Sequence, residues 1–111
     1  MNAIGSGLAT RAAGTTEVIV APPAPYLALY AEQLRNTTNH RGLKIAAQQC
    51  SAFGFGAHTG EFSAEMLTSA GIDTVLIGHS ERRDGFGETD AVVAEKTQRA
   101  VDAGMRVILC C

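Results

Sequence analysis

The sequence predicts an α/β fold in which short parallel strands are covered by helices. One observation is a recurring unit: a glycine, an apolar strand, a polar glycine-containing loop and an amphipathic helix. Its starts, at Gly42-Leu43-Lys44-Ile45, Gly71-Ile72-Asp73-Thr74-Val75 and Gly104-Met105-Arg106-Val107-Ile108, lie roughly 30 residues apart, the length of one βα unit. A second observation is that the strand segments are short and rich in apolar residues, as strands of a parallel sheet are when helices cover them. The third is composition: 46% hydrophobic and 18% charged over 111 residues, enough for one compact domain and unlike a disordered chain.

The first expected strand is Val18-Ile19-Val20-Ala21. It stops at Pro22-Pro23, because proline has no N–H to give to a ladder. The helix that follows carries Leu27, Tyr30, Ala31 and Leu34 at the i, i+3, i+4, i+7 spacing of one buried stripe. The second strand is expected over 44–48 and leads into a long glycine-rich loop that ends at Thr59-Gly60-Glu61. The third, over 74–78, leads into Gly78-His79-Ser80-Glu81-Arg82-Arg83. A helix over 89–103 places Val92, Val93, Lys96, Ala100 and Val101 near one face, with Thr89 as its cap and Asp90 beside the positive end of the helix dipole. The last strand is expected over 106–110. Glycine before each strand suits a helix C-terminus, where positive φ is often required. Strands separated by helices imply a parallel sheet, and periodicity alone leaves open whether it is an open sheet or half of a barrel. Residues 1–16 form a poorly defined N-terminal segment, and the domain is expected over 17–111.

Several function classes are set aside. The net charge is -2, with Lys and Arg scattered, so no basic field attracts nucleic acid. The 3 cysteines, Cys50, Cys110 and Cys111, have no Cys-x-x-Cys spacing and read as reduced thiols. No apolar run approaches the roughly 20 residues that span a bilayer, and residues 1–14 lack the apolar core of a signal peptide. The expectation is a cytoplasmic protein without nucleic-acid or membrane partners. His40, His58, His79 and Cys50 match no common metal spacing. The Gly54-x-Gly56 and Gly85-x-Gly87 pairs are incomplete as dinucleotide fingerprints.

Reactive groups of βα proteins lie beyond the carboxyl ends of strands. There the loop after the third strand is richest in chemistry. Its leading residue, His79, has the properties of a general acid or base, or of a neutral hydrogen-bond donor, and a helix is expected to begin beside it. A polar turn with a salt-bridged surface is the plain alternative.

Gly78-His79-Ser80-Glu81-Arg82-Arg83, followed by Phe86-Gly87-Glu88-Thr89-Asp90, resembles the most characteristic stretch of the triosephosphate isomerase family. Ala21-Pro22-Pro23 and Thr59-Gly60-Glu61 precede it in the family's order, and Lys96, Ala100, Gly104, Ile108 and Cys110 follow at the family's spacing. The resemblance covers residues 17–111. It implies an α/β chain that is a partial (β/α)8 TIM barrel, with parallel strands two to five and their connecting helices. It implies an isomerase that interconverts dihydroxyacetone phosphate and glyceraldehyde 3-phosphate in glycolysis and gluconeogenesis. Such an enzyme uses no cofactor or metal, works in the cytoplasm and forms a homodimer when intact.

Carried over by that resemblance, His79 is the electrophile. Its uncharged ring donates a hydrogen bond to the substrate oxygen as an enediolate develops, a pattern already established for this family. Glu81 and Ser80 support it from nearby. Thr59 reaches into the partner subunit's active site, and Gln48, Glu61, Arg82 and Glu88 join a polar network at the dimer interface. From the residues alone, Glu61, Arg82 and Glu88 are also compatible with ordinary surface charge. His58 and Gln49 depart from the family, which usually has an aromatic residue and an asparagine there. The family's Asn-x-Lys pair has no counterpart in residues 1–16, and its glutamate base, closing loop and phosphate-binding glycines belong beyond Cys111. The expectation is a fragment that is nearly inert alone, because deprotonation of carbon needs that base. A different expectation is a non-catalytic βα module that associates through exposed strand edges.

Overall fold

The computed structural model describes residues 16–37 and 42–111. The expected N-terminal segment over 1–16, apart from Thr16, lies outside the described residues, and so does His40. The elements run β1 (Val18–Val20), α1 (Ala24–Arg35), β2 (Leu43–Ile45), α2 (Ala64–Ser69), β3 (Thr74–Ile77), α3 (Ser80–Gly85), α4 (Asp90–Asp102) and β4 (Arg106–Leu109).

Local chemistry accounts for the boundaries. β1 ends before the two prolines, and α1 begins at once, with Pro23 as its N-cap residue and Pro25 inside its first turn. The N–H groups of a first turn have no helical partner, so proline loses nothing there. Leu27 and Ala31 are buried and Tyr30 and Leu34 pack against the core, as their spacing predicts. The Ser63 hydroxyl caps α2 by accepting from the Met66 N–H at 3.2 Å, and the Thr89 hydroxyl does the same for α4 from Val92 at 3.2 Å. The two helices end alike. Gly71 and Gly104 take φ of 83° and 81°, and the residue after each bonds back to a helix carbonyl, Ile72 to Leu67 at 3.0 Å and Met105 to Ala100 at 2.9 Å. This is the left-handed closure that glycine adopts without steric penalty, and it aims the chain directly into β3 and β4.

β1 pairs in parallel with β2, and β3 with β4. Ala47 joins the two pairs: its N–H bonds the Thr74 carbonyl at 2.9 Å and its carbonyl accepts from Leu76 at 2.9 Å, while the neighbouring Ala46 bonds Val20 at 3.0 Å. Successive residues of a strand address opposite neighbours, so residues 46 and 47 bond β1 and β3 in turn. The lateral order is therefore β1, β2, β3, β4, each strand beside the next in sequence. β2 itself, at Leu43–Ile45, is shorter than the expected 44–48.

Helices cover one face of this arc. Val20, Ile45, Ala47, Val75, Ile77 and Val107 meet Leu27, Ala31, Leu67, Val93, Ala100 and Met105 there. Each valine, leucine, isoleucine or methionine among them contributes about 1.5–3 kcal/mol on full burial. The alternating residues Leu76 and Ile108, paired in register, point to the opposite face and are only half-buried.

Truncation at the centre of the packed face should be costly. Ile77→Ala is expected to lower stability by about 2–5 kcal/mol, whereas Phe55→Ala, at a side chain 70% exposed, should stay within about 0.5 kcal/mol. Urea unfolding monitored by circular dichroism checks both, and similar losses at the two positions would contradict this placement of the core.

Candidate active site

β3 is buried, and it delivers the chain to a tight turn at Gly78. This residue has φ 81°. A Cβ there would stand 3.1 Å from the Cys110 carbonyl oxygen and 3.2 Å from a Val93 methyl, so both conformation and space call for glycine. His79 follows as the N-cap residue of α3. The helix expected beside it is present, as a short one of 6 residues.

The ring is held by a backbone group. His79 Nδ1 accepts a hydrogen bond from the Glu81 N–H at 3.2 Å. An N–H can only donate, so Nδ1 offers a lone pair, and in the neutral ring the proton resides on Nε2. The Glu81 carboxylate lies 3.8 Å from the same Nδ1, a contact that becomes an ion pair only with a protonated Nδ1. Its side chain is 87% exposed, where such a pair is worth little, so the shorter, directed N–H contact defines the ring. Glu81 acts on His79 through its backbone. Ser80 is exposed and opens α3.

His79 lines a cavity of about 370 Å³ together with Ala21, Gln48, Gln49, Leu76, Glu81, Arg82 and Phe86. The residues after β1, β2 and β3 thus converge at the carboxyl ends of their strands, where βα proteins assemble sites. Gln48 ties two of these loops together by donating to the Ala21 carbonyl at 2.9 Å. A larger groove, about 730 Å³, runs between α4 and β4 beside Val93, Val101, Leu109 and Cys110. It is mainly apolar and lies away from His79.

Beneath the cavity sits a buried charge network. Glu88 Oε2 accepts from Arg82 Nε and from Lys96 Nζ, the latter at 2.6 Å, and Lys96 also donates to Gln49 Oε1 at 3.0 Å. Glu88 and Lys96 are only 8% and 6% exposed. Burial pushes the Glu88 carboxyl upward, but the hydrogen bonds and charges of Lys96 and Arg82 outweigh it and hold the group below the usual carboxylate range. Arg82 also lays its guanidinium over the Phe86 ring, 4.4 Å from the centroid. Sequence reasoning missed Lys96 and Gln49 as members. The available signal was a lysine within the buried stripe Val93, Lys96, Ala100 of α4.

The other residues named from the resemblance lie apart. Thr59 and Glu61 are exposed on the loop between β2 and α2. His58 stacks on Phe53, with centroids 4.2 Å apart and an interplanar angle of 12°. Cys50 is fully buried, and desolvation pushes its thiol up to about 11, so it is not a nucleophile at neutral pH. Among the described residues no three His, Cys, Asp or Glu side chains are grouped to hold a metal ion, and no helix is long and apolar enough to cross a membrane.

Comparison with known proteins places these features in context. The family model for triosephosphate isomerase matches residues 1–111. A triosephosphate isomerase of Bradyrhizobium sp. is 44% identical over 92% of this chain and 39% of its own length. One from Paracidovorax citrulli is 44% identical over 99% of this chain and 42% of its own. The crystal structure of triosephosphate isomerase from Bartonella henselae superimposes with a TM-score of 0.86 at 34% identity, covering 99% of this chain and 43% of that one. The chain therefore spans about two fifths of the length of the relatives it matches, and the four strands among the described residues are an arc of a TIM barrel.

Glu88→Gln should be strongly destabilising, because it leaves Lys96 buried beside a neutral partner. Urea unfolding at neutral pH should show a loss of about 3–5 kcal/mol. The folded carboxyl is held below its unfolded value, so its contribution is present above the ordinary carboxylate range and disappears as pH falls through the folded value. The variant should lack that part of the acid dependence, and a variant as stable as the parent would refute the network's role.

Proposed function

The chain belongs to the triosephosphate isomerase family, and we propose that it forms the electrophile-bearing part of an enzyme that interconverts dihydroxyacetone phosphate and glyceraldehyde 3-phosphate. The observation that supports this is the ring of His79: it lines the cavity with Nδ1 already committed to the Glu81 N–H. Nε2–H is then the group available to a ligand.

In this reading a base removes a proton from the carbon next to the substrate carbonyl. Electron density moves onto the carbonyl oxygen, which becomes an enediolate oxygen. His79 Nε2–H donates a hydrogen bond to that oxygen, and the bond strengthens as negative charge develops. A neutral donor does so without surrendering its proton, and because Nδ1 already accepts the Glu81 N–H the ring need not reorient during the reaction. Glu81 is the only carboxylate among the described residues lining the cavity, and its N–H is spent on the ring. We assign the base, the substrate lysine and the phosphate grip to segments of the whole enzyme outside these 111 residues, so the fragment alone is inactive. No cofactor enters the reaction.

The whole enzyme is proposed to be a cytoplasmic homodimer serving glycolysis and gluconeogenesis. The exposed loop carrying Thr59 and Glu61 faces the partner. Arg82 and Glu88 are occupied within the subunit, and they brace the surface that Gln48 and the loop present. One observation favours a second behaviour for the isolated chain, association without catalysis: the β3–β4 face bearing Leu76 and Ile108 is half-open, and Val101 on α4 and Leu109 at the end of β4, across the groove between them, are 55% and 51% exposed. Parallel sheets are stable when both faces are covered.

A chimera tests the enzymatic assignment. The corresponding segment of the Bartonella henselae enzyme is replaced by this chain, and isomerisation is followed in a coupled assay. The chimera should turn over, and His79→Ala should lower its kcat by about 10²–10⁴-fold; an active chimera indifferent to His79→Ala would sink the electrophile role. For the second behaviour, sedimentation velocity of the 111-residue chain should show concentration-dependent association that Val101→Lys with Leu109→Lys reduces. A monomer at all concentrations would exclude it.

A further inference from the structure

We propose that Arg83 is the positioning residue for His79, an inference that rests on the electrophile role assigned to that histidine. Arg83 Nε donates to the Gly78 carbonyl at 2.8 Å. The Arg83 backbone N–H donates to the His79 carbonyl at 3.1 Å. The first carbonyl belongs to the peptide entering His79 and the second to the peptide leaving it. Arg83 thus bonds both peptide planes that flank His79: its side chain holds the entering one, and its N–H shares the carbonyl of the leaving one with the Arg82 N–H at 2.9 Å. Glu81 N–H then sets the ring on a backbone already fixed.

The guanidinium reaches further. Nη1 donates to Asp90 Oδ1 at 2.7 Å and Nη2 to the Cys110 carbonyl at 3.4 Å. The turn after β3, the first turn of α4 and the end of β4 are thus tied to one planar fork. Only arginine presents donors in three directions from one rigid plane. Gly78 is its complement: a Cβ there would come within 3.0 Å of Nη2, so the missing side chain is what admits the fork. Arg83 lines the groove between α4 and β4 and is not among the residues lining the His79 cavity. It acts through the backbone of His79 and does not touch substrate.

The test reads the tautomer of His79 by long-range ¹H–¹⁵N correlation on the ¹⁵N-labelled 111-residue chain, at a pH above the ordinary imidazole range. The parent should show one tautomer, with Nδ1 bare and Nε2 protonated. Arg83→Ala and Arg83→Lys should give a His79 pattern averaged between tautomers, with loss of exchange protection at the Glu81 amide. Asp90→Ala, which removes one exposed arm of the fork, should keep the parent pattern. A parent-like His79 pattern in folded Arg83→Ala or Arg83→Lys would overturn the proposal. An averaged pattern in Asp90→Ala would overturn it too, since general loosening would then suffice. Arg83→Lys keeps the charge and one donor, so it decides the matter if Arg83→Ala does not fold. Turnover does not enter this readout: an inactive chimera would remove the enzyme assignment and leave the role of Arg83 at the turn intact.

Discussion

At the carboxyl end of β3 the backbone turns through a left-handed glycine in a space closed to any side chain. The rest of the site depends on that turn. Gly78 can take φ 81° without the strain an L side chain would add, and His79 then emerges at the first turn of α3. A different residue at 78 would move the Cys110 carbonyl, Val93 or Arg83, and each of these belongs to an element that frames the histidine. The preorganisation lies in backbone geometry, where small displacements are resisted by several hydrogen bonds at once. The electrophile role proposed for His79 would gain from such rigidity, since its hydrogen bond must be in place when charge appears.

The charge network beneath the cavity solves a different problem. Lys96 reaches from α4 to Gln49, on the loop after β2, and to Glu88, in the connection between α3 and α4, and so ties the two segments together. Burying these ions carries a desolvation penalty, offset only by good geometry and multiple donors. Glu88 Oε2 has two cationic donors, whereas its Oε1 is buried with no hydrogen-bond partner among the described residues. The pair is therefore better understood as a device that fixes loop positions than as a source of net stability. Its neighbour Arg82 bonds Glu88 and also lines the cavity, so the network and the cavity wall share a residue.

Much of this architecture was legible in the sequence, for local reasons. Prolines stop β1, the Thr89 hydroxyl opens α4, and glycines precede β3 and β4, all through interactions within a few residues. The stripes Leu27–Ala31 and Val93–Lys96–Ala100 follow from helical geometry. His79 stood out because it follows a buried strand and leads a run of polar side chains. What could not be read was set by distance along the chain. Gln49 meets Lys96 47 residues away, and Arg83 meets Cys110 27 residues away; no periodicity encodes such pairs. Glu88 gave the opposite lesson, since its surroundings in sequence are those of a surface loop and only the fold buries it. α2, with 6 residues, is too brief for an amphipathic stripe to declare itself.

The chain is an arc of a TIM barrel, and the proposed site centres on one histidine whose Nδ1 accepts a single backbone N–H. The most direct measurement is a crystal structure of the chimeric enzyme with a bound enediolate mimic. His79 Nε2 should stand about 2.7–3.1 Å from the mimic's oxyanion, with Nδ1 still receiving the Glu81 N–H. A ring that turns Nδ1 toward the ligand, or stands out of contact with it, would rule out the electrophile role of His79.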